Sequence, residues 1–365
     1  VPRVRIVVEA DIARAETLPG EAYRSEALHA QLIDRVFARS WQPTPATMDP
    51  SLVPAGTVAP FTLLPGCLDE PLLLVRDGDA LRCLSNVCTH RGSILCEEAC
   101  EVTTLRCRYH GRRFGLDGRL HHAPEFEGAL DFPSERDHLP VLPLALFGPL
   151  GLTSLAPAFG VEELLHPVRA RLAGLAGLAV DAMALDPESV RDYDVEANWM
   201  LYVDNYLEGL HIPFVHPGLA QALDYGAYQT ELHPRGSLQT GIAKHGEDAF
   251  DGSDVAALYF WLFPNLMLNF YPWGLSLNVV TPLSVGKTRV HYRSYVLDEA
   301  RRERGAGSGL DRVEHEDEEV VEAVQRGIRA RMYRRGRYSP TRETGVHHFH
   351  RLLAAALDGE LPKQP

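Results

Sequence analysis

The stretch CTHRGSILCEEACEVTTLRCRYHG, residues 88–111, holds two candidate metal-binding pairs. Cys88-x-His90 and Cys107-x-x-His110 each have the spacing of two ligands on one tight loop, with sixteen residues between them. Two chemistries use two cysteines and two histidines. One is a structural tetrahedral zinc ion. The other is a [2Fe-2S] cluster with cysteines on one iron and histidines on the other. Zinc fingers more often pair cysteine with cysteine and histidine with histidine, beside a helix. Here each pair is mixed, is followed by glycine or Arg-Gly (His90-Arg91-Gly92, His110-Gly111), and sits in β-type sequence. That arrangement favours the cluster. Cys67, Cys83, Cys96 and Cys100 are read as buried or loop thiols.

The second candidate is EANWMLYVDNYLEGLHIPFVHP, residues 196–217. Read as a helix ending near Pro213, it puts Asp204, Glu208 and His211 on one face at i, i+4 and i+7. The same helix carries Trp199, Leu201, Val203, Leu207 and Leu210, and acids buried among such residues are costly unless paired or metal-bound. His211 and His216 lie five residues apart, roughly 140° around an ideal helix. They converge only if the helix breaks between them, and Pro213 is the expected breaker. Two converging histidines plus one carboxylate make the facial triad of non-haem Fe(II) oxygenases. Taken alone, two such histidines would more often be ordinary core residues.

These residues need elements to hold them. SEALHAQLIDRVFARSW (25–41) reads as a helix capped by Ser25, with Leu28, Leu32, Val36 and Phe37 in one stripe. The Pro-rich run PTPATMDPSLVPAGTVAP breaks the pattern. Short apolar runs and turns follow, with hairpins expected around Asp77-Gly78-Asp79 and Asp117-Gly118. Residues 42–154 are therefore read as a small all-β domain. Beyond it, 195–216 reads as helix and 226–298 as several strands. RRERGAGSGL is expected to be a mobile linker, and 311–335 and 341–357 read as helices. In YFWLFPNLMLNFYPW (259–273) the aromatics alternate as in a strand and are read mostly as core. HHFH (347–350) is assigned to helix surface and packing, not to metal. The arginines between 326 and 337 form a basic strip on a solvated face.

Composition narrows the function. Lys+Arg number 36 against 49 Asp+Glu, a net charge of −13, which argues against general nucleic-acid or anionic-membrane binding. No apolar run reaches the ~18 residues of a membrane span. The start has acidic residues where a signal peptide would continue its apolar core. Six cysteines, five of them between Cys83 and Cys107, are no secreted disulfide framework. A soluble, cytoplasmic protein is expected.

With these motifs together, the chain resembles the α (terminal oxygenase) subunits of Rieske non-haem iron oxygenases, the aromatic-ring-hydroxylating dioxygenase α-subunit family. The first motif matches C-x-H-x16-C-x-x-H-G. The second matches N-W-x…D/E-N-x-x-D/E-x-x-H-x4-H at Asn198, Trp199, Asp204, Asn205, Glu208, His211 and His216. The resemblance covers essentially the whole chain. It implies an α+β protein with an all-β Rieske domain (42–154) and a helix-grip (START-like) antiparallel-sheet catalytic domain (155–365), on which the N-terminal helical segment 1–41 packs. It implies a [2Fe-2S] cluster on Cys88, His90, Cys107 and His110, and a mononuclear Fe(II) on His211, His216 and an acid from a late helix. In DRVEHEDEEVVEAVQRG, Val313, Asp317, Val320, Val321 and Val324 share one stripe. Asp317 is the acid on it, and family spacing before VQRG agrees; Glu314, Glu316, Glu318 and Glu319 are read as solvated. Asp204, Asn205 and Glu208 complete the implied site. In the family the acid at Glu208 hydrogen-bonds the iron-ligating histidine and the second cluster histidine, here His110, of a neighbouring subunit. Such sites are far apart within one subunit, so a head-to-tail homotrimer is implied.

One departure stands out: the family usually carries an aromatic after YHG, and this chain has Arg112. The implied activity is a terminal oxygenase that takes electrons from NAD(P)H through a separate reductase or ferredoxin and uses O2 to hydroxylate or N-demethylate a small substrate. AETLPGEAYRSE…FARSW, DNYLEGLHIPFVHPGL and VQRGIRARMYRRGRYSP…GVHHFH look most like the choline, glycine-betaine and carnitine branch, hence a quaternary amine. Tyr202, Tyr206, Phe214 and Trp261 are available for an aromatic cage. Two alternatives use the same scaffold: an aromatic-ring hydroxylase, dioxygenase or aromatic-acid demethylase, and an electron-transfer or binding protein with a dead mononuclear site.

Overall fold

The computed structural model describes residues 4–45, 50 and 53–361, so part of the Pro-rich run lies outside the described residues. The chain forms two compact units. One is Trp41–Ala156; the other combines the chain before it with the chain after it.

The smaller unit is built of short antiparallel strands: β1 (Gln42–Pro43), β2 (Thr57–Leu63), β3 (Glu70–Asp77), β4 (Ala80–Ser85), β5 (Cys100–Glu101), β6 (Leu105–Arg106), β7 (Arg113–Phe114), β8 (Leu120–His122), β9 (Val141–Leu142), β10 (Leu144–Phe147) and β11 (Leu150–Thr153). They pair as a five-stranded sheet β5-β2-β3-β4-β9 and two three-stranded sheets, β6-β7-β8 and β1-β11-β10. Asp77 pairs with Ala80 across a two-residue turn. Gly78 sits there at φ 58°, the left-handed conformation that such tight hairpins demand. Val58, Leu73, Val75, Leu84, Leu105 and Phe114 form one apolar core, and Cys88 and Cys107 are buried in it. The two cysteine–histidine loops are thus anchored at their cysteines.

The larger unit contains α1 (Glu26–Arg35), α2 (Glu162–Leu172), β12 (Ala184–Leu185), β13 (Arg191–Val195), α3 (Trp199–Tyr206), α4 (Ile212–Val215), α5 (Pro217–Ala222), β14 (Gln229–His233), β15 (Gly236–Ile242), β16 (Val255–Leu262), β17 (Leu266–Tyr271), β18 (Gly274–Ser284), β19 (Lys287–Val296), α6 (Leu310–Gly327) and α7 (Thr344–Asp358). Its antiparallel sheet runs β12-β19-β18-β17-β16-β15-β14, with β13 also on β19. Ser25 Oγ accepts from the Leu28 N–H at the start of α1, and Leu28, Leu32, Val36 and Phe37 are all buried. Edge-to-face rings then tie three helical segments to the sheet. Phe37 meets Trp199 at 4.9 Å, Trp199 meets Phe349 at 5.6 Å, and Phe349 meets Trp261 at 5.2 Å. Aromatic pairs of this geometry add about 0.5–1.5 kcal/mol each beyond area burial.

Several elements differ from the expectations. Strands β16 and β17 are buried at every position, because both sheet faces are covered. The helix expected over 195–216 stops at Tyr206 and resumes at Ile212. The one expected over 311–335 ends at Gly327; beyond it Arg337 donates to the carbonyls of Ala15 (3.0 Å) and Ala13 (2.5 Å). The linker is not loose: Ala306 and Gly307 are buried, and the Trp273 indole N–H donates to the Gly307 carbonyl at 3.1 Å. A Cβ on Gly307 would come within 2.3 Å of that indole nitrogen, so glycine here serves close packing, not flexibility. HHFH is packing: His347 Nε2 meets the Glu9 carbonyl (2.7 Å) and His348 Nε2 the His233 carbonyl (2.8 Å). No helix among the described residues is long and apolar enough to cross a membrane.

Candidate functional site

The two cysteine–histidine loops are built alike. In the first, the Cys88 N–H donates to the Ser93 carbonyl (2.8 Å) and the Gly92 N–H to the Cys88 carbonyl (3.0 Å). In the second, the Cys107 N–H donates to the Arg112 carbonyl (2.9 Å) and the Gly111 N–H to the Cys107 carbonyl (3.1 Å). Gly92 and Gly111 have φ of 71° and 75°, so each turn needs its glycine. The donors fall into a thiol pair and an imidazole pair. Cys88 and Cys107 hydrogen-bond each other, and the His90 and His110 rings lie 4.7 Å apart. That is the division required by two irons with two protein ligands each.

His90 Nδ1 is buried with no hydrogen-bond partner among the described residues, a costly state unless the nitrogen binds something else. Burial, then the Arg112 guanidinium, push the His90 imidazole below its ordinary range, which favours the neutral form a metal takes. Burial opposes the Cys107 thiolate, yet the backbone N–H groups of Tyr109 and His110 outweigh it and hold this thiol down. The residues fit the cluster. Of the other cysteines, Cys67 and Cys83 have thiols pushed up by burial, to about 12 and about 11, and Cys96 lies 3.6 Å from Cys100.

Arg112 fills the position of the family's aromatic from inside. It is buried, lies over the Phe126 ring at 4.7 Å and the Phe132 ring at 5.2 Å, and reaches Thr89 Oγ1 of the first loop at 3.3 Å. Asp137 stands 4.0 Å away, a distance that leaves its charge incompletely paired. A buried cation beside a cluster stabilises the reduced, more negative form. Arg112→Phe is therefore expected to keep the cluster spectrum and lower its midpoint potential. An EPR-monitored redox titration measures this, and an unchanged or raised potential would contradict it.

The second site forms where α3 ends. Asn198 caps that helix, its Oδ1 accepting from the Met200 N–H at 3.0 Å, and its own N–H donates to Gln325 of α6 at 2.8 Å. The break comes at Leu207, earlier than expected, and Pro213 sits in the first turn of α4, where proline is tolerated. What turns His216 inward is Pro217: the residue before a proline is driven out of helical backbone, and His216 has φ −116° and ψ 78°. His211, at the start of α4, and His216, at its end, then face one carboxylate. Asp317 Oδ1 lies 3.0 Å from His216 Nε2 and 3.6 Å from His211 Nε2. One donor atom from each of the three lies within 4.8 Å of the others.

Each histidine is held from behind. His211 Nδ1 lies 2.6 Å from Glu208 Oε1, and His216 Nδ1 lies 2.7 Å from Glu316 Oε2. Metal-binding histidines are commonly oriented in this way, the carboxylate setting the tautomer that leaves Nε2 free. Burial lowers the His216 pKa, but Asp317 and Glu316 outweigh it and raise it. Asn205 Nδ2 donates to Asp317 Oδ1 at 2.6 Å. Two imidazoles and a carboxylate, with open space in front, suit a non-haem iron.

Three expectations need correction. Asp204 does not join this site: with the helix broken at Leu207, its carboxylate takes the Tyr23 hydroxyl (2.8 Å) and lies 2.9 Å from His350 Nε2. Glu316 is not a solvated acid, since it reaches His216. The buried stripe of α6 is Glu314, Val321 and Gln325, whereas Val324 is 43% exposed. Glu316→Ala should thus weaken iron binding about 10- to 100-fold, while leaving the three facing donors in place. Iron retained after dialysis against a mild chelator measures it; wild-type retention would return Glu316 to the surface.

A cavity opens on the three donors, with about 720 Å³ of free space including its mouth. Its sheet wall follows the register: Gln239 pairs with Tyr259, Tyr259 with Asn269, and Asn269 with Ser276, so one face of four strands lines it. Tyr202 and Tyr206 line it too, but Phe214 and Trp261 do not. Phe214 is 82% exposed, and Trp261 is buried in the aromatic core. Tyr228, Tyr259, Tyr271 and Tyr292 take their place. From α6 comes Glu314, whose carboxylate accepts from the Tyr202 hydroxyl (2.5 Å) and Asn278 Nδ2 (2.7 Å). Burial pushes its pKa up to about 7.

Residues 50–140 match the Rieske [2Fe-2S] domain, and residues 183–359 match the catalytic domain of ring-hydroxylating α subunits. The chain is 32% identical to choline monooxygenase of Arabidopsis thaliana over 96% of its own length and 86% of that protein's. It is 31% identical to the carnitine monooxygenase oxygenase subunit of Escherichia coli K12 over 93% of each. The quaternary ammonium Rieske monooxygenase CntA, solved with L-carnitine, matches with a TM-score of 0.75 at 25% identity, covering 97% of this chain and 99% of that one. Naphthalene 1,2-dioxygenase from Rhodococcus shares the fold, with a TM-score of 0.68 at 17% identity over 96% of this chain and 95% of that one. The chain belongs to the Rieske non-haem iron oxygenase α subunits. It is an α+β oxidoreductase that uses a Rieske cluster and a mononuclear iron, fed by a reductase. Within that family its similarity extends to choline and carnitine monooxygenases.

Proposed function

We propose that this oxygenase hydroxylates or oxidatively N-demethylates a quaternary amine. The observation that carries this reading is the tyrosine-lined cavity in front of His211, His216 and Asp317, since aromatic faces attract an alkylated ammonium. The similarity to choline and carnitine monooxygenases points the same way. Cys88, His90, Cys107 and His110 would hold the cluster, in a Rieske domain over about residues 42–154. His211, His216 and Asp317 would hold the iron, in the catalytic domain that follows. Together these cofactors would supply O2 activation.

The chain's own groups do the positioning. Glu208 and Glu316 keep the Nδ1 protons of the two histidines, so each Nε2 lone pair points at the site. Asn205 fixes the Asp317 carboxylate. The tyrosine wall holds the substrate and keeps bulk water from the reacting carbon.

Glu208 also suits an assembly. In the family it joins His211 to the second cluster histidine, His110, of another copy, and the solved structure of a quaternary ammonium Rieske monooxygenase gave insights into inter-subunit electron transfer. A head-to-tail homotrimer would bring these groups together. A cytoplasmic setting suits the four cysteines outside the ligand set, which are free thiols.

Oxygen uptake and product mass with a surrogate reductase, for a panel of quaternary amines and aromatic acids, tests the proposal. Turnover confined to the aromatic acids would sink it. Reduction of the visible chromophore without turnover of any panel member, in protein with about two irons per chain rather than three, would favour a simple electron carrier.

A further inference from the structure

Among the described residues lining the cavity there is no lysine or arginine, and its carboxylates are Glu208, Glu314 and Asp317. Glu208 answers to His211, and Asp317 to both histidines and Asn205. Glu314 has only neutral partners. Each oxygen accepts one hydrogen bond, from the Tyr202 hydroxyl and from Asn278, and it makes no ion pair among the described residues. A carboxylate this buried, 8% exposed, is costly to ionise without a counter-charge. Neutral donors satisfy its lone pairs and leave its charge unanswered. It stands on α6 three residues before Asp317, so the two acids share one helical face, and the cavity is the space in front of both.

We infer that Glu314 is the counter-charge for the substrate's cationic head, and that the cavity selects an organic monocation with an uncharged far end over a zwitterion carrying its own carboxylate. This rests on the quaternary-amine reading above and narrows it. The head would be met by the Glu314 carboxylate and by the rings of Tyr202, Tyr206 and Tyr271, which supply attraction without a formal charge. A second carboxylate on the substrate would enter a chamber whose described lining has no lysine or arginine. The one cationic centre it would meet, a metal on His211, His216 and Asp317, is already answered by Asp317, with Glu208 and Glu316 behind the histidines, which disfavours it. A neutral molecule of the same shape would leave Glu314 as unanswered as it is in the empty cavity. The raised pKa of Glu314 agrees with this: the group is not settled as an anion until a cation arrives.

The test measures dissociation constants by anaerobic calorimetry on the iron-replete protein. Its probes are choline, L-carnitine and 3,3-dimethylbutan-1-ol, the uncharged carbon isostere of choline. Wild type is expected to bind choline at least about tenfold more tightly than either of the others. Glu314→Gln should weaken choline about 10- to 100-fold, change the neutral alcohol little, and keep a wild-type iron content. Carnitine binding as tightly as choline to wild type overturns the inference and leaves the quaternary-amine reading standing. So does an equal loss of choline and the neutral alcohol in the variant, which would make Glu314 a packing residue. Failure of both quaternary amines to bind removes the substrate class itself, and this inference with it. If the variant does not fold, the three wild-type affinities decide.

Discussion

Asp317→Ala is expected to yield a protein with about two irons per chain in place of about three, with the visible and EPR spectra of the cluster unchanged. The reason is geometric. Asp317 Oδ1 lies 3.0 Å from one imidazole Nε2 and 3.6 Å from the other. Without it, two imidazoles at the ends of a single helical turn remain, too few donors to hold the metal. Loss of the fold does not compete as an explanation. Asp317 is only partly buried, and the one neutral donor it abandons, Asn205 Nδ2, costs about 1–3 kcal/mol if it stays unpaired. Circular dichroism separates the two effects. If Asp317→Ala kept the third iron while Glu316→Ala lost it, the ligand and its supporting acid would have to be exchanged.

The same helix shows how far the sequence could be read. Apolar spacing placed Asp317 on the inward side, because a valine stripe is the strongest periodic signal in α6. That stripe is slightly out of phase: Val324 is exposed, and the buried positions include Glu314 and Gln325. Hydrophobicity cannot announce a polar group buried for its hydrogen bonds. Gln325 receives the Asn198 N–H and Glu314 receives Tyr202 and Asn278, all from residues over thirty positions away. Glu316 escaped for the related reason that a site in a groove can be reached from both flanks of one helix.

The two cysteine–histidine loops were legible because their geometry is local. Glycine at a positive φ, four residues after each cysteine, is written into the spacing. The break near His211 was legible in kind but misplaced, since Pro213 drew attention from Pro217, whose effect falls on the residue before it. The cavity wall was the least legible part. Tyr228, Tyr259, Tyr271 and Tyr292 come from separate segments, and alternation tells which side of a strand a residue takes, not which strands become neighbours.

Glu208→Gln is expected to keep both metals and yet turn over roughly 100-fold more slowly. The carboxylate works with both oxygens. Oε1 meets His211 Nδ1 at 2.6 Å, while Oε2 accepts from the backbone N–H groups of Leu210 and, at 3.1 Å, His211. An amide has one acceptor oxygen. If it serves the backbone, its NH2 faces the imidazole and asks Nδ1 to give up its proton; if it serves the imidazole, two N–H groups lose their acceptor. The negative charge that favours a protonated Nδ1 is lost in either case. Iron on Nε2 requires a protonated Nδ1 and so selects the second arrangement, in which no ligand atom is lost; iron content and the cluster spectrum should stay as in wild type. Substrate affinity should hold as well, because Glu208 is already committed to His211 and the loop. The loss should appear after prereduced protein is mixed with substrate and O2, as slow recovery of the visible absorbance, with reduction by the donor unimpaired. Recovery at the wild-type rate would take Glu208 out of the path between the two sites and leave it an orienting partner of His211 alone.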